Sequence, residues 1–533
     1  MRRIKKLSCI LLVILMVVTF MLAGCQQKPA QGNETEQPKT EAVQPSAKAA
    51  EESGPDISEK VNLKLYFLGT KADDTDLVLG KINEKLAEKL NATMSTEYLG
   101  WGDWKTQYPL KFASGDDFDG IFAADWAFYG AQAQKNGFME ITEELLTKYA
   151  PTILKNTPKA DWDQVRVNGK VYMIPQSNTE FNQRHYIIRG DLRKKYNVPE
   201  IKTIDDLGPY FDAILKNEKD IMPYTNIPTD HAGVLNVTQI QNEWYQLGNY
   251  QSFVYAMYNY ADPNDTKVFS FIDTPQYIDH IKRMRDWNQK GYISKSLLSN
   301  KTGTADLFKN GKLAMIFHNY GTANSLYNDA KKNHPDWEVE IFDGTAGKKV
   351  LPYPSSGGGL GIHATSKHAD RLLMVCDYLR YDKEINHLAQ RGIQGKHWDI
   401  APGQSNENIT VPGPENAKYN GDSFAWGPWR NAMYQSQPSP ENSVKGYYNI
   451  MESLASRKVN HPLQAFNFND EKVKNEVAAC KSVTEQYGIP LEYGFVDPEA
   501  GLATYKEKMK AAGIDKIMTE MQVQVDAYVN SLK

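Results

Sequence analysis

The residues best suited to chemistry in this chain are flat and aromatic, and they stand among polar partners. All ten tryptophans lie after residue 60, several beside turn and hydrogen-bonding residues: Trp101-Gly-Asp-Trp104, Asp125-Trp126, Trp244-Tyr245 and Trp426-Gly-Pro-Trp429-Arg430-Asn431. An indole covers an apolar ring face at small entropic cost while Asp, Asn, Lys and Arg take the hydroxyls around its edge, and a sugar ring presents that combination. Tryptophans also fill cores, so composition leaves both roles open. Sets for covalent or metal chemistry are missing. Gly-Lys is never followed by Ser or Thr, which removes a P-loop, and neither HExxH nor GxSxG occurs. Gly357-Gly358-Gly359-Leu360-Gly361 lacks the dinucleotide spacing and reads as a flexible crossing. Asp262-Pro-Asn-Asp265 has too few acidic positions and no central glycine for an EF-hand loop, so it reads as a turn. Paired carboxylates for glycoside hydrolysis stay open, because any two acidic residues can meet in a fold. The expectation is a binding protein, not an enzyme, with no cofactor and no metal.

The elements that must position these side chains begin at Val61. Strand VNLKLYFLG, a loop over 70–76, an amphipathic helix over 77–90, a strand over 92–98, a helix around 104–113 and an apolar strand over 120–124 follow in turn. Strands alternating with helices predict an α/β lobe with a largely parallel sheet, whose ligands gather at the carboxyl ends of the strands. That rule points to Gly69-Thr70-Lys71 and to Ala124-Asp125-Trp126. Asn168-Gly169 is a hairpin turn signal, and the short apolar strand after it is stopped by Pro175, which suits either a hairpin or a strand crossing between two bodies. From Phe181 onward the chain is helix-rich, with helical periodicity over 205–216, 237–258 and 274–291.

The ends and the composition bound the rest. A basic start (Arg2, Arg3, Lys5, Lys6), an apolar run from Leu7 to Leu22 and the sequence Leu22-Ala23-Gly24-Cys25 have the layout of a secretory signal over 1–24, and its end resembles the lipobox of bacterial lipoproteins. Cleavage before Cys25 would leave a lipidated cysteine that anchors the protein to the outer face of the membrane without spanning it. Residues 25–60 are rich in Gln, Glu, Lys, Pro, Ala and Ser and nearly free of large apolar side chains, the composition of a disordered tether. Once the four basic leader residues leave, the formal charge moves from −4 to −8, which argues against a nucleic-acid partner. Of the four cysteines, Cys9 is in the leader, Cys25 is at the lipid site, and Cys376 and Cys480 stand alone. Without a disulfide framework, an exported chain of this length is held by core burial.

NGKVYMIPQSN (168–178) resembles the dGK-Y-x-x-P signature of the maltose-binding-type (family 1) extracellular solute-binding proteins. KFASGDDFDGIFAADW (111–126) is similar to their ASG-x-x-PD segment, with Phe118 where proline is usual. IIRGDLRKKYNVPEIKTIDDL (187–207), LFKNGKLAMIFHNYG (307–321) and ATSKHADRLLMVCDYL (364–379) match further family segments in order and spacing. Within the family the chain resembles the long Gram-positive lipoproteins of the LipO and LplA type, which carry an extra C-terminal domain.

The resemblance implies an α/β, two-lobed, type II periplasmic-binding-protein-like fold with discontinuous lobes hinged about a cleft. It implies lobe one over 61–174 plus 319–365, lobe two over 175–318 plus 366–454, and a helical extension over 455–533, with crossings near 175, 317 and 365. Carried onto this chain, it places Thr70 and Lys71 in the first cleft loop, Asp125 and Trp126 in the second, Gln176, Asn178 and Glu180 on the crossing, and Asn319 and Tyr320 at the return strand. The aromatic clusters add Trp244 and Trp429. The implied function is capture of a carbohydrate, an oligosaccharide, by a monomer that delivers it to the permease subunits of an ABC transporter. A surface polysaccharide-active enzyme and a binding protein for peptides or other polar solutes are the alternatives.

Overall fold

A computed structural model describes residues 55–177, 181, 185–228, 233–247, 255–420 and 422–532. The leader, Cys25 and the tether up to residue 54 lie outside the described residues, as do Asn178 and Glu180, while the carbonyls of Asp56 and Glu59, at the end of the expected tether, accept from Arg371 of lobe one. In chain order the strands of the two main sheets are β1 (Val61–Leu68), β2 (Ala92–Leu99), β3 (Gly120–Ala123), β4 (Met173–Pro175), β5 (His185–Arg189), β6 (Met315–His318), β7 (Val339–Phe342) and β8 (Gly359–Ile362). The helices that matter most here are α1 (Thr75–Leu90), α2 (Trp104–Ala113), α3 (Pro275–Gln289), α4 (Tyr320–Asn333), α5 (Ala369–Tyr381) and α6 (Lys383–Arg391).

Lobe one is built on a five-stranded sheet in the order β2-β1-β3-β8-β4. β1 runs parallel to β2 and β3, and β8 runs antiparallel to both β3 and β4. The inner strand β3 reads as a continuous apolar run buried at every position because helices cover the sheet, whereas β2 at the sheet's end is half polar. α1 buries Val78, Leu79, Ile82, Leu86 and Leu90, one face at helical spacing, each side chain contributing about 1.5–3 kcal/mol of burial. The Gly-rich run is not a flexible crossing. A Cβ on Gly359 would lie 2.3 Å from the Ile174 carbonyl oxygen and one on Gly361 2.4 Å from the Phe138 ring, so glycine is required by close approach within the sheet.

Lobe two holds the antiparallel sheet β6-β5-β7, with His185 opposite His318 and Tyr186 opposite both Phe317 and Phe342. A third apolar core joins the small sheet of Trp244–Gln246, Ala256–Asn259 and Phe269–Ser270 to the C-terminal helices, through Tyr277 and Ile281 on one side and Leu491, Tyr505, Met509, Ile517 and Val525 on the other. The helix expected over 237–258 stops at Gln241. Glu243 takes a left-handed φ of +59°, and Trp244 and Tyr245 after it lie in strand. Asp262 and Asp265 form a turn, Asp265 N donating to Asp262 O at 3.0 Å.

Two of the expected crossings are displaced. β6, expected to return the chain to lobe one, pairs with β5 inside lobe two, and α4 follows it there. β8 and α5, expected to lead into lobe two, belong to lobe one, where Leu372, Leu373, Cys376 and Leu379 join the core of β1 and β3. The chain therefore crosses between β4 and β5, again between β7 and β8, and a third time after Trp429, which is in the lobe-one core, and before Val444, which is in a lobe-two core. Local pattern identified the strands but not their partners, since an apolar run pairs equally well in either sheet. The first two crossings lie side by side, bridged by Phe181 and Pro352.

Candidate functional site

Five chain segments emerge on one edge of the lobe-one sheet. They are Gly69 after β1, Trp101 after β2, Asp125-Trp126 after β3, Gly357-Gly358 before the antiparallel β8, and Gln176 after β4. On the lobe-two sheet, the ends joined to these by the crossings are His185 at the start of β5, His318-Asn319 after β6 and Asp343 after β7. The crossings between β4 and β5 and between β7 and β8 join strand ends on one edge to strand ends on the other.

Tryptophans dominate the lobe-one edge. Trp101 is 48% exposed and lies over Gly69, where φ is +106° and a Cβ would sit 2.8 Å from the indole nitrogen. Its ring is 6.2 Å from that of Trp126 at 33°, and buried Trp104 backs both, edge-on at 6.4 and 5.6 Å. Trp126 is half-buried, and its Nε1 donates to Gly357 O at 2.8 Å, which ties the β3 loop to β8. Asp125 holds the same joint. Its carboxylate accepts from Ser356 Oγ at 2.9 Å and from the Trp126 amide at 2.7 Å, and burial pushes its pKa up against those two hydrogen bonds. Asp125 thus shapes the loop that carries Trp126.

Gln176 is 6% exposed and donates its backbone N–H to Gly358 O at 2.9 Å. Its side-chain Oε1 is enclosed with no hydrogen-bond partner. Beneath it, fully buried Arg380 donates to the carbonyls of Pro175 and Pro428, and Ser177 N donates to Arg430 O, so the start of the crossing is fastened to the 428–430 segment. Burial pulls the Arg380 pKa down.

The remaining expected residues divide. Thr70 and Lys71 are exposed in the loop after β1, with Lys71 paired to Asp76 at 2.6 Å. Asn319 caps α4, its Oδ1 accepting from Thr322 N at 2.8 Å. Tyr320 is buried, packed edge-on to Tyr447 at 5.6 Å. Two aromatic candidates are not brought to the edges. Trp429 is fully buried against Phe67 and Phe424, its Nε1 donating to Phe424 O at 2.8 Å, which makes it core. Trp244 packs on Phe269 and Phe271 in the third core. Among the described residues no cluster of three or more His, Cys, Asp or Glu could hold a metal ion, and no helix is long and apolar enough to cross a membrane.

The profile of the bacterial extracellular solute-binding proteins matches residues 78–381, more than half of the 533. The chain belongs to that family. A second profile, of a domain of unknown function (DUF3502), matches residues 462–530. A carbohydrate ABC transporter substrate-binding protein of Streptococcus pneumoniae serotype 4 is 24% identical over 502 residues, covering 90% of this chain and 93% of its own. The structure of the N-glycan transport solute-binding protein NgtS from Streptococcus pneumoniae, in complex with Man1GlcNAc, superposes with a TM-score of 0.70 at 22% identity over 88% of this chain and 100% of that one. The alginate-binding protein AlgQ2 without calcium gives a TM-score of 0.62 at 16% identity, over 88% and 98%. Identities this low speak for a shared two-lobed α/β fold.

Within this solute-binding fold, two exposed tryptophans of the aromatic clusters were not among the residues the sequence placed at the site. Trp101 follows β2 by two residues, so the carboxyl-end rule that selected the loops after β1 and β3 would have found it had it been applied to β2. Trp426 is 44% exposed in the short helix Ser423–Trp426. That helix is fastened to the loop after β1, where Asp422 accepts from Ala72 N at 3.1 Å, and its Phe424 packs on Phe67 at 5.4 Å. Of the pair in Trp-Gly-Pro-Trp, the exposed member is the first.

Proposed function

We propose that this chain is a binding protein of an ABC importer that captures an oligosaccharide between the two facing sheet edges and hands it to permease subunits. It acts as a monomer and is held to the outer face of a Gram-positive cell membrane by a lipid on Cys25, in the manner of the LipO and LplA type. It performs no catalysis on what it binds. The observation that carries the reading is the exposed face of Trp101 beside Trp126, backed by Trp104 and lying on Gly69: a rigid aromatic platform for the C–H face of a sugar ring. Support also comes from the relatives, which include a pneumococcal carbohydrate importer component and NgtS with Man5GlcNAc.

The test is a thermal-shift screen against Man5GlcNAc, kestose, alginate oligosaccharides and a peptide panel. A ligand at a hundred times its dissociation constant adds about 2.7 kcal/mol of stability. Stabilisation by peptides alone overturns the carbohydrate reading, and shortened glycan products that depend on one Asp or Glu overturn the binding-only reading. Cys25→Ser should release the protein or leave an unprocessed precursor, and undiminished lipid labelling of that variant removes the anchor.

A further inference from the structure

The region matched by the domain of unknown function is built into lobe two. The short helix Ile489–Glu492 and the residues after it are inset against α3. Gly494 has φ of +72°, and a Cβ there would lie 2.2 Å from Met284 O, so only glycine lets the backbones approach this closely. Arg285 Nη1 donates to Gly494 O at 3.0 Å, and Asn288 Nδ2 to Tyr493 O at 3.3 Å. Ile489 and Tyr493 belong to the lobe-two core, while neighbouring Leu491 belongs to the C-terminal core.

Two side chains at this junction reach out of the C-terminal region. Tyr493 Oη accepts from Asn226 Nδ2 at 3.0 Å, and the Asn226 carbonyl accepts from Asn300 Nδ2 at 3.0 Å, so Asn226 is fixed from both sides. Glu492 is buried, one oxygen accepting from Tyr255 Oη at 3.0 Å and the other from Tyr277 Oη at 3.2 Å.

The position of Asn226 gives the tie its meaning. Met222 bridges Leu313 in parallel and exchanges hydrogen bonds with Lys312 and Ala314, so residues 222–226 run alongside β6 in the same direction. Tyr224 packs on Phe317 of β6 at 5.8 Å. Asn226 therefore comes out at the same sheet edge as His318-Asn319, the lobe-two side of the candidate site.

We propose that Tyr493 is a positioning residue for the ligand-facing edge of lobe two, and that the C-terminal region serves solute binding by holding that edge in place. The proposal rests on the reading of the facing edges as the glycan site. An edge ordered in advance binds more tightly, because the cost of fixing its side chains is not met at the moment of binding.

The experiment is Tyr493→Phe in the full chain, which keeps the buried ring and removes only the hydroxyl, with Tyr528→Phe as the control. Tyr528 donates to Pro462 O at 3.3 Å, a contact wholly inside the C-terminal region. Two measurements are made: hydrogen exchange over residues 224–228 without ligand, and titration with Man5GlcNAc. Tyr493→Phe should speed exchange over 224–228 and weaken glycan binding about threefold to tenfold. Asn226→Ala should weaken it as much, and the double variant no further. Tyr528→Phe should change neither reading. Unchanged exchange in Tyr493→Phe overturns the proposal. If the parent binds no Man5GlcNAc, that glycan is ruled out as the solute while exchange still decides the positioning role.

Discussion

Lobe one ends its strands in tryptophan, whereas lobe two ends its strands in histidine, asparagine and aspartate. Trp101 and Trp126 form a platform stiffened by Trp104 and by the Nε1 bond from Trp126 to Gly357, all within one lobe. His185 is buried at 3.7 Å from Asp343, whose other oxygen takes Arg457 at 2.6 Å, and Asn226 depends on Tyr493. One edge is apolar and supported by its own lobe. The other is polar and supported by residues from after the last crossing. A sugar has both an apolar face and hydroxyl rims, so each edge suits a different part of one ligand, and the full set of contacts exists only when the lobes close.

The support of lobe two is where this contrast is most easily broken. Burial pushes the Glu492 carboxyl up to about 7, opposed by the hydrogen bonds from Tyr255 and Tyr277, while burial pulls the adjacent His280 down to about 3. The folded state thus keeps a proton on Glu492 that the unfolded state, near 4.5, releases. Its contribution to stability is fully present below pH 4.5, falls as pH rises towards 7 and is constant above that, a change of about 3 kcal/mol. Glu492→Gln, neutral throughout, should remove this slope and melt higher than the parent at pH 8 while differing little at pH 4.5. Parallel melting curves for the two proteins across that range would show that Glu492 ionises freely in the fold.

On the lobe-one side, Trp126→Ala removes the ring contact, the bond to Gly357 and the backing of Trp101. Binding should weaken by about 1.5–3 kcal/mol, roughly ten- to a hundredfold, as read by calorimetry with the best glycan of the screen. Trp101→Ala should approach the same loss with less effect on melting, because half of its surface already meets solvent. Wild-type affinity in both variants would move the site off this edge. Asn319→Ala tests the polar edge more gently. It removes the cap of α4, which costs about 1 kcal/mol of stability by urea unfolding, and any larger loss in glycan affinity than in stability would mark the amide as a ligand contact.

The strands and the carboxyl-end loops could be read from the chain because their signals are local. An apolar run such as Gly120–Ala123 followed by Asp125-Trp126 carries its own boundary. What could not be read depended on pairing partners far along the chain. Whether β6 returns to lobe one is decided by β5, and Trp429 is core because Phe424 and Phe67 enclose it, while Trp426, three residues earlier, is left half in solvent. The Gly-rich run misled for the same reason, since its glycines answer to Ile174 and Phe138 rather than to any need for flexibility. Trp162 is 8% exposed within the short helix Lys159–Gln164, so truncating it would leave a cavity in lobe one and make it unfit as a control.

A better control sharpens the comparison from the other end of lobe two. Trp337 precedes β7, whose first residue, Val339, pairs with Arg189 at the end of β5 away from the crossings. Its ring stacks on His334 at 3.8 Å and carries the Arg189 guanidinium at 3.5 Å. Arg189 would lose that face in Trp337→Ala but keep its two hydrogen bonds to Asp191, at 2.9 and 2.7 Å, so no charge is left unpaired. The cost should be about 1 kcal/mol of stability, the worth of a partly exposed cation–π contact, with glycan affinity within twofold of the parent. If affinity instead fell as far as in Trp126→Ala, aromatic loss anywhere would be weakening the fold, and the contrast between a tryptophan edge and a polar edge would no longer describe how the solute is held.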